Sequence, residues 1–288
     1  MIDIGRVFST SWDMLRQRFW PLVGMWAVFF AIQLVAILVL GMLVAVMGIA
    51  GAGLGAGVDD PAALAGMGIG MIVMMVLLYG AYFVLVFAQQ AAMVTLASPL
   101  EQASFGTAMS RGFKSALPFF GIAIVLVLAY FVIGGGLVAV LAAAGLGGPD
   151  AAVGLGAVVL VLALPLMIYL GCRFSVLVPV VAVDQVFNPI AAIRRSWNVT
   201  GGKVLRIFLA TIVFLLISMV VLGLPVMLIF GSALGAPDGS EPSAMVLFGP
   251  LLMLPLFIVY TIFGTTYVAA LHSEVTGGGA EALEEVFA

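Results

Sequence analysis

Charges punctuate this chain in small clusters. Between the clusters run charge-free stretches at 19–58, 61–100, 115–149, 151–172, 207–237 and 242–273. Each could supply the roughly 20 apolar residues that a helix needs to cross a bilayer. A membrane β-barrel would need short alternating segments, and these runs are continuous. Backbone inside lipid must satisfy its own hydrogen bonds, so the stretches predict six helices. We place the spans at about 20–48, 67–92, 117–145, 153–181, 204–232 and 244–271, with ends good to a few residues.

The loops between spans fall into two kinds. Those at 49–66, 146–152 and 233–243 hold Asp59, Asp60, Asp150, Asp238 and Glu241 and no basic residue. The other side holds Arg6, Arg16, Arg18, Arg111, Lys114, Arg194, Arg195, Lys203 and Arg206, and Arg173 lies in the fourth stretch nearer that side. Basic loops stay in the cytoplasm, so both termini are expected there. Trp20 and Trp26 fit an interfacial anchor at the start of span 1. The acidic loops read as Gly/Pro turns: Gly51 to Gly57, Gly147-Gly148-Pro149, and Pro237-Asp238-Gly239.

Composition agrees. The 288 residues are 65% hydrophobic and 8% charged, against about 25% charged in soluble domains. The formal net charge of −3 offers no basic tail for nucleic acid. One cysteine, Cys172, and one histidine, His272, leave no internal disulfide and no cysteine-based metal cluster. No cofactor is expected. The N-terminus lacks the pattern of a cleavable leader.

A repeat underlies the layout. Val7-Phe8-Ser9-Thr10-Ser11-Trp12, Ala108-Met109-Ser110-Arg111-Gly112-Phe113 and Ala192-Ile193-Arg194-Arg195-Ser196-Trp197 share one sequence of small, apolar, polar and aromatic positions, each ahead of a pair of spans. Gln89-Gln90, Cys172-Arg173 and Thr265-Thr266 recur near the basic ends of the even spans. The repeated segments predict amphipathic helices in the headgroup layer. In the first, Ile4, Val7, Phe8, Leu15 and Phe19 share a face from which Arg6, Asp13 and Gln17 point away. Asn188-Pro189 starts the third, and Thr200-Gly201-Gly202 ends it. The expected fold is an all-α membrane bundle of six helices in three hairpins, each preceded by a cytoplasmic amphipathic helix. It forms one domain over 1–288, with units of about 1–97, 98–182 and 183–272 and a tail at 273–288.

The stretch from Arg173 through Pro179, Asp184, Pro189 and Arg195-Ser196-Trp197 to Thr200-Gly201-Gly202 resembles the membrane domain attached to some bacterial glycerophosphoryl diester phosphodiesterases, and related stand-alone six-span proteins. The resemblance implies a six-helix protein of the cytoplasmic membrane, fused in some members to a phosphodiesterase. It carries over no activity: the His-Arg-Gly catalytic motif is absent, and the stretch from His272 to Ala288 is too short for that domain.

Arg173 is the sharpest candidate. A charge at mid-span costs about 2.5–3.5 kcal/mol on insertion scales, so it faces a cavity, a partner or a lipid phosphate, snorkels to the interface, or ties carbonyls of a neighbouring span. With Arg194, Arg195, Lys203 and Arg206 it could receive an anionic headgroup. Gln89, Gln90 and Gln33 are expected to bond between helices, locking packing. Gly66, Gly70 and Gly134-Gly135-Gly136 would let backbones approach. Pro165, Pro225, Pro250 and Pro255 would kink spans 4, 5 and 6, either as ordinary features of membrane helices or to open a pocket between helix pairs. No span holds paired acids, and an enzyme would need His272, Asp184 and Arg173 to converge. The expected role is therefore non-enzymatic: a scaffold or accessory protein of the cell envelope in a bacterial inner membrane, associated with membrane lipids and with another membrane protein as candidate partner. The alternative is an uncoupled transporter or binder of an anionic lipid or other amphiphile. A membrane enzyme is the distant third.

Overall fold

The computed structural model describes residues 2–53, 61–143, 164–234 and 244–277. The expected acidic turns around Asp59, Gly147 and Pro237 lie largely outside these residues, as does the tail beyond Gly277. The described residues are helical, without a strand: α1 (Ile4–Gly53), α2 (Pro61–Ala97), α3 (Phe105–Ala143), α4 (164–174), α5 (Leu177–Ala182), α6 (Pro189–Val199), α7 (Val204–Ser218), α8 (Leu224–Leu234) and α9 (Ala244–Val275). Six segments are long and apolar enough to cross a membrane: Ile4–Leu43, Leu78–Ala97, Phe105–Gly136, Leu164–Ala182, Val204–Gly231 and Phe248–Val275.

The first two repeated segments run on into their spans as single helices, which the sequence did not predict. In α1 the join is a kink at Arg18 (φ −116°, ψ 20°), three residues before Pro21. Proline has no N–H for the carbonyl four residues back and its ring crowds that carbonyl. Only the third segment, α6, is separated from its span, by a turn in which Gly202 takes φ +66°. All three show one burial order. Val7, Ala108 and Ala192 are fully buried, Ser9, Ser110 and Arg194 exposed, Ser11, Gly112 and Ser196 buried, and Trp12, Phe113 and Trp197 exposed.

Packing concentrates at the basic end. Leu22, Met25, Phe29, Met93 and Ile262 form one buried cluster. Val176, Val180, Ile207, Leu271 and Val275 anchor the other. α2 packs more extensively on α3 than on α1, and α1 lies chiefly on α9. The most extensive joint thus joins α2 to α3, the helices on either side of the basic-side loop at 98–104. At the other end the helices turn large apolar side chains outward, including Met42, Val132, Met227 and Leu252, each more than 70% exposed. That much apolar surface calls for lipid rather than water.

α7 passes into α8 through a π-helical turn, Met219–Gly223, just ahead of Pro225. Proline disrupts the bond to the carbonyl of Val221, and the wider turn takes up the mismatch. An apolar cavity of about 610 Å³ opens there, lined by Pro225, Ile229, Phe248, Gly249, Met253 and their neighbours. This cavity lies between α8 and α9, away from the basic end. At 134–136 a Cβ would meet nothing within 4 Å, so among the described residues no backbone approaches there. The shortest such distance among the described glycines is at Gly112, where a Cβ would lie 2.5 Å from the Ala88 carbonyl oxygen. The side-chain surroundings of Gly66 and Gly70 lie outside the description.

Candidate functional site

The polar constellation forms where the chain turns between spans four and five. α4 breaks after residue 174 because Pro179 offers no N–H to the Ser175 carbonyl. α5 then ends as the amides of Val183 and Asp184 both bond the Pro179 carbonyl. The reversal passes through Gln185, whose φ of +57° is left-handed. Asn188 caps α6: its Oδ1 accepts from the amides of Ile190 and Ala191 at 3.0 and 3.2 Å, with Pro189 in the first turn. Capping sets the direction of α6, which turns Ala192, Ser196 and Val199 inward at helical spacing.

Arg173 is half-buried against this helix. Its Nε and Nη2 donate to the Tyr169 hydroxyl at 3.0 and 2.8 Å, and its Nη1 donates to the Trp197 carbonyl at 2.9 Å. The guanidinium also sits over both rings, 4.6 Å from the Trp197 centroid and 5.2 Å from that of Tyr169, an arrangement suited to a flat cation. The break after residue 174 leaves the Arg173 carbonyl without its helical partner, and Ser196 Oγ donates to it at 2.7 Å. Side chain and backbone of one residue thus tie α4 to the last turn of α6. Tyr169 was not foreseen, although its spacing of four from Arg173 puts both on one helix face.

A second cluster lies alongside. Arg195 Nε donates to Asp184 Oδ2 at 2.6 Å. His272, buried in α9, places Nε2 3.4 Å from Asp184 Oδ1, within ion-pair range but without a well-aligned hydrogen bond. Burial pushes the Asp184 carboxyl up, but His272 and Arg195 together outweigh it and hold the group below its ordinary range. Of the three residues an enzyme would need together, Asp184 and His272 meet. The cation beside them is Arg195, while Arg173 spends its donors on Tyr169 and Trp197. Among the described residues no group of three His, Cys, Asp or Glu could hold a metal ion.

The remaining candidates mostly hold helices together. Lys203 Nζ donates to the Val275 carbonyl at 2.5 Å, and Arg206 Nη1 to that of Ile2 at 3.2 Å. Arg18, not singled out from the sequence, donates to the Leu96 carbonyl at 2.7 Å. Val275, Leu96 and Trp197 lie in the last turns of α9, α2 and α6, where carbonyls lack intrahelical partners and the helix dipole favours a cation. Arg111 pairs with Glu101 as Arg195 does with Asp184. Gln33 donates to Gln89 at 2.8 Å, joining α1 to α2, and Gln90 is half-buried on the next position. Arg194 differs from these. It is exposed and lines a shallow cavity of about 460 Å³ with Val186, Ala191, Arg195, Asn198 and Val199.

Residues 152–282 match the family model of the membrane domain of glycerophosphoryl diester phosphodiesterase. The resemblance carried by Arg173, Asp184 and Arg195-Ser196-Trp197 is therefore shown, and all these residues fall within the match. So do Lys203, Arg206 and His272, whereas Gln89 and Gln90 lie before it. No curated protein and no solved structure matches the chain. The membrane-domain match and the six apolar helices together describe a multi-pass membrane protein.

Proposed function

We propose that this chain is a non-enzymatic scaffold or accessory protein of the cell envelope, set in a bacterial inner membrane with both termini in the cytoplasm and embedded among lipids beside a protein partner. The observation that carries this reading is the use made of Arg173. The most costly ionisable group of the spans is clasped by Tyr169 and Trp197 and bonded to a carbonyl of α6, as a rigidifying tie would be. Lys203, Arg18 and Arg206 do the same for other helix ends. A protein that presents a fixed surface to a partner benefits from such ties.

The test is native mass spectrometry of the protein extracted in its own lipid patch, with Arg173→Ala beside the wild type. A stoichiometric protein partner without a selectively held lipid supports the scaffold. A stoichiometric lipid that disappears in Arg173→Ala, with no protein partner, overturns it in favour of the second reading, an uncoupled carrier or binder of an anionic amphiphile. That second reading is favoured by one feature, the cavity beside exposed Arg194.

A further inference from the structure

We infer that the cavity on α6 is a docking site for the phosphate of an anionic phospholipid, with Arg194 as its cation and Asn198 as its neutral donor. This goes beyond the scaffold reading, because a structural protein can still select the lipid at its rim. Ala191, Arg194, Arg195 and Asn198 follow at spacings of three, one and three along one helix, and all four line the cavity. The two arginines are not equivalent. Arg195 is held by Asp184, so its charge is already answered. Arg194 has no ion pair among the described residues and remains exposed. Its guanidinium presents paired N–H groups suited to two phosphate oxygens, and the Asn198 amide, one turn further, can add a donor.

The surroundings favour a lipid over free phosphate. Ile190 and Trp197, four residues before Arg194 and three after it, share its stripe on the helix. Ile190 is 70% exposed and Trp197 37% exposed. An apolar side chain and an indole turned outward at a span's end belong in the bilayer interface, and the arginine between them then sits at phosphate depth. Val186 and Val199 give the cavity apolar walls. The repeat supplies an internal contrast: the positions matching Arg194 are Ser9 and Ser110, so of the three matching positions the third alone is a cation, one without an ion pair among the described residues.

The experiment uses the whole chain in vesicles of mixed phosphatidylglycerol and phosphatidylcholine, with retained lipid counted by native mass spectrometry. The wild type should hold one phosphatidylglycerol selectively. Arg194→Gln should lower that selectivity about fivefold, the effect of one basic residue at an anionic surface, and Asn198→Ala should lower it by less. Arg16→Gln removes the same charge at another exposed position and should change nothing. Equal losses in Arg194→Gln and Arg16→Gln would reduce the effect to diffuse surface charge and overturn the site. Unchanged retention in both Arg194→Gln and Asn198→Ala would overturn it too. So would full displacement by inorganic phosphate, which would make the ligand a free anion. Selective retention without a protein partner would leave this site standing and remove the scaffold, and a partner without lipid selectivity would do the reverse.

Discussion

A single methyl group at Gly112 tests how the repeated segments are seated. An alanine Cβ there would lie 2.5 Å from the Ala88 carbonyl oxygen, 2.7 Å from Ala92 Cβ and 3.2 Å from Ala92 Cα. Carbon contacts are normally at about 3.5–4.0 Å, so α3 would have to lift from α2 by roughly 1 Å. Most of the opposing atoms are backbone or Cβ, which no rotamer change can move away. Overpacking of this kind costs about 1–3 kcal/mol, here toward the upper end. Replacing glycine by alanine inside a helix returns about 1 kcal/mol. The net expectation is a loss of about 2 kcal/mol by those two principles. Gly134 is the control on the same helix, with nothing within 4 Å of its Cβ position; Gly134→Ala should be neutral or stabilising by up to about 1 kcal/mol. Unfolding free energies in mixed micelles, titrated with a denaturing detergent, give both values. If Gly112→Ala proves as stable as Gly134→Ala, α3 does not rest on α2 through this contact, and the seating of the second segment is wrong.

Arg173→Lys should behave almost as badly as Arg173→Ala in thermal unfolding, because an ammonium cannot sit over both rings while bonding both the Tyr169 hydroxyl and the Trp197 carbonyl; full rescue by lysine would show that charge alone matters. The folded Asp184 carboxyl lies below its ordinary value, so its contribution is complete above the unfolded pKa of about 3.9 and is lost as pH falls through the folded one. Acid unfolding of Asp184→Asn should therefore be shallower than that of wild type below about pH 4, and an unaltered slope refutes the linkage. Gln89→Leu should cost less than about 1 kcal/mol in the micelle titration, as membrane hydrogen bonds do; a larger loss would give the Gln33 contact an unexpected weight. For topology, Arg16→Cys in a Cys172→Ala background should resist an impermeant maleimide in whole cells while Asp59→Cys reacts, and the opposite pattern would invert the orientation.

The spans were legible because both their signals, apolar length and charge punctuation, are local. In the repeated segments, the burial order of Val7, Ser11 and Trp12 recurs at Ala108, Gly112 and Phe113 and at Ala192, Ser196 and Trp197. What failed depended on direction. Asp184 stands 11 residues from Arg195 and equally far from Arg173 (184 − 173 = 11). Linear distance cannot choose between them. The reversal at Gln185 and the cap at Asn188 choose Arg195, and the paired acid of the second unit, Glu101 with Arg111, was the available clue. Likewise the single Gly112 makes a close approach to α2 that no sequence run announced, because approach depends on which face a neighbouring helix presents.

The charge asymmetry that first suggested an orientation also has a structural use. α2 and α9 direct their C-termini toward the basic end, and α6 ends there too. Carbonyls at such ends need donors and favour positive charge. Arg18, Lys203 and Arg173 supply both to Leu96, Val275 and Trp197. The same cations can therefore obey a topological rule and close the bundle, and a count of basic residues cannot tell which of them remain available to a ligand. The hydrogen-bond partners can. Arg173 and Lys203 are engaged with the protein, Arg195 is answered by Asp184, and Arg194 alone among the five basic candidates lines an open cavity without a paired acid among the described residues. Lipid binding that depended on Arg173 while ignoring Arg194 would contradict this division of labour.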